Sequence, residues 1–186
     1  GLLRFTRMTG ELIHAMRRCK LPIVASIKRV AAGAGAVMAL ASDLRVMGQS
    51  SFFAFLFPQV GLSGADMGAS WLLPRVVGLG HASEILLLGD RVTADKCLKI
   101  GLANQVVEDE PDRDAVDRAA FALARRIADG PHFAARMTKT MLQQELEMGF
   151  TDAIEAEAQA QTLCMQHPDF KEADTARLAK RAPRWR

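Results

Sequence analysis

Apolar residues recur at helical spacing over residues 2–19 (Leu3, Met8, Leu12, Ile13 and Met16), with arginines between them. That spacing lays an apolar stripe along one face and predicts an amphipathic helix. Pro22 ends it, because the residue before a proline avoids helical angles. The period then changes. Residues 23–27, Ile-Val-Ala-Ser-Ile, form a short uninterrupted run rich in β-branched residues, as expected of a strand covered on both faces. Residues 44–47 and 52–55 are two further strand candidates. After the first run comes Ala31-Ala32-Gly33-Ala34-Gly35-Ala36, which reads as a tight turn opening a helix over residues 37–41. Strand, helix and strand in that order imply a right-handed parallel crossover.

Beyond residue 66 the pattern is mostly helical. Residues 69–77 and 82–88 are apolar-rich and punctuated by Gly78, Gly80 and Gly89. Thr93 suits the N-cap of a helix over 94–100, with Gly101 at its stop. Residues 104–107 add a short strand. Four more helices follow over 114–128, 131–147, 151–166 and 170–180. The fold class is therefore α/β at first and all-helical afterwards, divided here into residues 1–110 and 111–186. The Ala-rich stretch 151–165 suits packing on a neighbouring subunit or within the same chain.

Composition narrows the function. The chain has 186 residues, 49% hydrophobic and 24% charged, with a formal net charge of +3. That charge is too small to argue for nucleic acid. The basic residues gather at Lys180, Arg181, Arg184 and Arg186, a solvated tail or an anion contact. Cys19, Cys97 and Cys164 are far apart and lack metal-ligand spacing, so the expectation is no disulfide framework, no zinc and a reducing, cytoplasmic compartment. His14, His81, His132 and His167 form no ligand pair, and no metal is expected. No apolar run approaches the ~20 residues of a membrane span, and no signal peptide is visible, so no membrane partner is expected.

Two features carry candidate chemistry. The Gly/Ala turn at residues 31–36 can point bare backbone N–H groups at an anion from a helix N-terminus, or can simply allow close packing. Downstream, Asp66 stands in Gly64-Ala65-Asp66-Met67-Gly68. It suits an acid/base role, or the N-cap of a helix starting near Met67. Donors for an oxyanion plus one positioned carboxylate form a plausible enzyme site.

Several blocks, in order, resemble the crotonase superfamily, the enoyl-CoA hydratase/isomerase group. They are Pro22–Ile27, Ala31–Gly35, Ala39–Arg45, Leu73–Gly78, Leu86–Arg91 and Gly101–Val107. The resemblance implies a ββα spiral followed by C-terminal helices that mediate trimer formation, as a homotrimer or hexamer. It also implies an acyl-CoA thioester substrate, coenzyme A entering as part of that substrate and no separate cofactor. The family holds the thioester carbonyl between two backbone N–H groups, which stabilise the enolate-like charge. The second donor falls on Ala34, beside Gly33 and Gly35. The first belongs to a segment preceding the strand at Ile23, so the resemblance covers the later part of a crotonase chain, with the N-terminal portion of the spiral missing.

The resemblance also bears on the acid/base groups. The two glutamates of typical hydratases fall on Val37 and Phe57, twenty positions apart, and neither moves a proton. Asp66, counted back from Leu73-Pro74-Arg75, matches an aspartate that family isomerases use to shuttle a proton and an aryl-CoA dehalogenase uses as nucleophile. Desolvation beside an acyl pocket makes a carboxylate a stronger base. Phe57 and Trp71 are candidate walls of the acyl pocket, with core packing as the plainer role for both. Glu84 is a second acid or a structural glutamate. Lys180 matches a lysine that reaches a CoA phosphate. The reading favours an isomerase over a simple hydratase; hydrolysis or dehalogenation through Asp66, and a non-catalytic truncated subunit, are the alternatives.

Overall fold

The computed structural model describes residues 1–186. After helix α1 (Leu2–Arg18) the strands come in short pairs, and the two members of a pair enter different sheets. Strands β1 (Val24–Ile27) and β2 (Val30–Ala32) lead into α2 (Ala34–Ala41); β3 (Leu44–Gly48) and β4 (Phe52–Ala54) lead into α3 (Ala69–Leu88). β1 lies parallel to β3, with Val24 beside Leu44 and Ile27 beside Met47. β2 lies parallel to β4, with Val30 beside Phe52. Each ββα unit thus adds one strand to each sheet, so the expected parallel crossover is present in duplicate. β5 (Arg91–Thr93) adds antiparallel to β4, and β6 (Gln105–Val107) adds parallel to β3 beyond α4 (Ala94–Lys99). The sheets read β1-β3-β6 and β2-β4-β5.

Residues 1–19 and 23–123 form one compact unit, and residues 20–22 and 124–186 a second. In the first, α2 is apolar on every side, and Ala36, Val37, Leu40 and Ala41 are all buried. A helix without a polar face belongs in a core. Here it packs with Phe53, Phe55 and Leu73 in one cluster. At 20 residues α3 is long and apolar enough to cross a membrane by composition alone, contrary to the expectation that no such run exists. Its backbone leaves the helix at Gly78 (φ 79°, ψ 158°), and Leu72, Leu73, Val77, Ala82 and Ile85 are buried in the same core. It is a broken helix with one side in the core, and Leu79, Leu87 and Leu88 are exposed. The expected cap of α4 is present: the Thr93 hydroxyl accepts from Lys96 N–H at 3.4 Å.

Arg45 is the polar anchor of this unit. It is buried, and its guanidinium donates to the carbonyls of Leu102 (2.6 Å), Ser42 (2.6 Å) and Leu40 (3.3 Å). Burial pulls its pKa below the ordinary arginine value, yet those carbonyls have no other side-chain donor. Replacing Arg45 with Met fills the volume but orphans the acceptors, each at a cost of about 1–3 kcal/mol. Arg45→Met is expected to lower unfolding stability by about 3 kcal/mol or more, read from the urea midpoint.

The second unit is helical: the end of α5 (Asp114–Ala128), α6 (His132–Gln144), α7 (Phe150–Gln166) and α8 (Pro168–Leu178). Pro131 stands at the N-cap of α6, one place before the first turn where it was expected. Past α8 the chain folds back. Arg181 bonds Glu172 at 2.6 and 3.1 Å, and Arg184 N–H donates to the same carboxylate at 2.7 Å. The Arg181 hydrogen bonds, then the Arg184 N–H, draw the Glu172 pKa down to about 2 from 4.5. A depressed carboxylate pKa supports the folded arrangement above the unfolded value and loses that support as pH falls through the folded one. Closure of residues 181–186 should therefore be complete above pH 4.5 and weaken toward pH 2. Trp185 emission in a Trp71→Phe background reads this directly, and Glu172→Gln should show the open signal already at neutral pH.

Candidate active site

Gly33 opens the site. It is the N-cap of α2 with φ 50° and ψ −124°, a conformation L side chains avoid. Its own N–H is spent on Ala54 O at 3.0 Å, and the first helical bond runs from Val37 N–H to Gly33 O at 3.2 Å. The N–H groups of Ala34 and Gly35 therefore lack an intrahelical acceptor, as the first turn of any helix requires. Both residues are exposed. A Cβ built at Gly33 or Gly35 would meet nothing within 4 Å, so neither glycine is there to relieve a clash beside the donors. Backbone angles alone demand glycine at 33, and nothing demands it at 35.

Asp66 lies on the connection from β4 to α3, after a 3₁₀ turn at Pro58–Val60. The next two residues, Met67 (φ 50°) and Gly68 (φ 85°), are both left-handed. Left-handed geometry costs a non-glycine residue roughly 1–2 kcal/mol. Burial of the Met67 side chain in the core beside Leu72 and Leu73 offsets that cost. The turn fixes where Asp66 points. The N-cap of α3 is Gly68, with no side-chain cap, so the capping role for Asp66 is overturned: only its backbone carbonyl serves the helix, accepting from Ala69 N–H at 2.8 Å. The half-buried carboxylate takes part in none of the side-chain hydrogen bonds or ion pairs, and it is free for chemistry.

The other candidates separate. Val37 and Phe57 are buried in the core. Trp71, for which core packing was the plainer expectation, is instead 38% exposed. The Arg75 guanidinium stacks 3.8 Å from its ring centroid while donating to Trp71 O at 2.8 Å. Glu84 is exposed and paired with Lys96 at 2.7 Å; the Lys96 hydrogen bond holds its pKa below the usual carboxylate range. That makes it a structural glutamate. Lys180 is exposed past the end of α8, with φ 51° and its N–H on Arg177 O at 3.2 Å; it belongs to the second unit. The fold does bring Ala34 and Asp66 onto neighbouring elements, because α2 and α3 share one core and Gly33 is tied to Ala54 at the end of β4. Met67 and Arg75 escape sequence reading: no residue pattern marks a left-handed methionine or a stacked cation.

A family model described as enoyl-CoA hydratase/isomerase matches residues 4–186. The chain belongs to that family. It is 32% identical over 179 residues to the 1,2-epoxyphenylacetyl-CoA isomerase of Escherichia coli K12, covering 96% of this chain and 66% of the relative. A probable enoyl-CoA hydratase of Mycobacterium tuberculosis is 34% identical over 183 residues, covering 97% and 63%. The crystal structure of a candidate enoyl-CoA hydratase from Streptomyces coelicolor A3(2) superposes with a TM-score of 0.95 at 50% identity, over 100% of this chain and 66% of that one. The crotonase fold is thereby established. The chain spans about two thirds of the length of the curated relatives it matches.

Proposed function

We propose that this protein isomerises the double bond of an acyl-CoA thioester, with the Ala34 N–H stabilising the enolate oxygen and Asp66 moving the proton. Family membership supports the thioester substrate. The observation that carries the reaction type is the pairing of one unengaged carboxylate with apolar residues at 37 and 57. One base on one face removes a proton from the carbon next to the carbonyl or beyond it, and the electron pair shifts toward the carbonyl oxygen. The same carboxylic acid, its proton exchanging with solvent between the two steps, then delivers a proton to the other end of the three-carbon unit. Atoms and electrons balance without water or a redox partner. Hydration needs a second group to orient water, and Val37 and Phe57 supply none.

Gly33 and Gly35 flank the donor, and in this reading Trp71 and Phe57 bound the acyl group. The E. coli relative is named for a phenylacetyl-derived thioester, and the exposed Trp71 ring offers a flat acyl group a face to lie on. Lys180 is the proposed contact for a CoA phosphate. Assembly as a trimer or hexamer, in a reducing compartment, belongs to the same proposal; exposed Phe150 and Ile154, one turn apart on α7, support it.

The test is a substrate panel of crotonyl-CoA, a 3-enoyl-CoA and a 2,5-dienoyl-CoA in deuterated water. Double-bond migration with deuterium at one carbon is the expected result. Net addition of water to crotonyl-CoA faster than any migration would replace this reading with a hydratase. Release of free CoA, or a covalent adduct trapped on Asp66, would replace it with hydrolysis or dehalogenation.

A further inference from the structure

The Asp66 carboxylate takes no hydrogen bond or ion pair, so its place is set by the backbone on either side of it. On the C-terminal side Met67 is buried in the core. On the N-terminal side stands Gly64, half-buried between exposed neighbours at 63 and 65. A Cβ at Gly64 would lie 2.9 Å from both the Cβ and the carbonyl oxygen of Leu86. Its φ lies outside the left-handed region. Close contact, and not backbone angle, therefore demands glycine here.

The surface that Gly64 meets is firm. Leu86 lies in the second half of α3, beside buried Ile85, and packs against the core. The backbone of a packed helix does not move aside as the tip of a flexible side chain does. Gly89, three residues on, holds the start of the same loop. Its carbonyl accepts from Gln59 Nε2 at 2.9 Å, and a Cβ there would meet Phe55 O and Pro58 Cγ at 3.2 Å. The break at Gly78 makes this return possible. In a straight helix Leu86 would lie about 25 Å from Ala69, farther than the ~17 Å that five extended residues span back to Gly64. Thus α3 begins three residues past Asp66 and comes back to seat the loop two residues before it.

We propose that Gly64 is a positioning residue for Asp66, given the role of that aspartate as the base, with Gln59 bracing the same loop. The close seat of Gly64 on Leu86 sets where the carboxylate meets the substrate carbon. Carbon atoms pack no closer than about 3.5 Å, so a methyl at 64 lifts the loop by roughly half an ångström. No bond on the carboxylate corrects the error, and a misplacement of about 1 Å can cost 10²-fold in rate.

Gly64→Ala should lower kcat about 10- to 100-fold and leave KM near its parental value. Gly80→Ala, where a Cβ meets nothing within 4 Å, should leave both unchanged. Gln59→Leu removes the brace at an exposed residue without adding bulk to the seat; it should lower kcat several-fold and carries the test if Gly64→Ala does not fold. The deciding readout is the Asp66→Asn background. There either substitution should change the residual turnover less than about twofold, because the group being positioned is already gone. A change that only damages the fold lowers turnover by the same factor in both backgrounds. Parental kcat in both variants, or equal proportional losses with and without the Asp66 carboxylate, would overturn the positioning role and leave Asp66 as the base. Undiminished turnover in Asp66→Asn would overturn both.

Discussion

Asp66→Asn should lower turnover of an unsaturated CoA thioester by about 10²- to 10⁴-fold, the range lost with a positioned general base. The change keeps the shape of the side chain and removes only its capacity to take a proton. Stability should hardly move, since no hydrogen bond or cap depends on this carboxylate and Gly68 starts α3 without it. The loss should fall on kcat and leave KM close to its original value, because the group acts in the transition state and not in binding. Deuterium exchange at the substrate carbon should vanish in parallel with turnover, which separates proton transfer from an effect on product release. Turnover that survives in Asp66→Asn would remove the aspartate from the mechanism.

The elements most legible in the sequence were those long enough to show a period. The α1 stripe, the apolar β1 and β3 runs and the Thr93 cap all gave the right element within a residue or two. Strands β2 and β5 did not, for a physical reason. Each has three residues, too few for alternation to register, and β2 is Val-Ala-Ala, whose small side chains look like part of the Gly/Ala turn that follows it. What makes β2 a strand is its pairing with β4, twenty-two positions away, and no local window contains that partner. The two helical stretches read over residues 69–77 and 82–88 are also present, separated by the non-helical Gly78 (φ 79°, ψ 158°).

The site divides along the same line. Ala34 beside two glycines and Asp66 in a Gly-flanked turn were visible as residue types in suggestive places, and the resemblance to the family fixed their register. The freedom of the Asp66 carboxylate was not visible, because an aspartate shortly before a helix is ordinarily its cap. The outcome turned on Met67 and Gly68 both taking left-handed angles, which moves the helix start past the reach of the side chain. Trp71 likewise looked like a core residue by composition, and only the three-dimensional placement of Arg75 over its ring shows why so large an aromatic can sit near solvent.

Ala34→Pro should cost about 10²- to 10³-fold in kcat, the loss seen when one oxyanion donor is removed. Proline deletes the N–H and little else at this position. Ala34 is the first residue of α2, where proline is tolerated because its fixed φ suits the helix and the missing N–H had no helical acceptor. The residue before it must avoid helical angles, and Gly33, at φ 50° and ψ −124°, already sits in the mirror image of the extended region that proline favours, which glycine alone enters freely. The fold should therefore survive, with a melting temperature within about 2 °C of the parent protein, a shift of about 1 kcal/mol or less for a chain of this size. Ala34→Ser, which keeps the N–H, should retain near-parental activity. A proline variant that folds and turns over substrate at the parental rate would show that the enolate oxygen rests elsewhere. A deficit in the proline variant that the serine variant does not share would tie the lost rate to one backbone N–H.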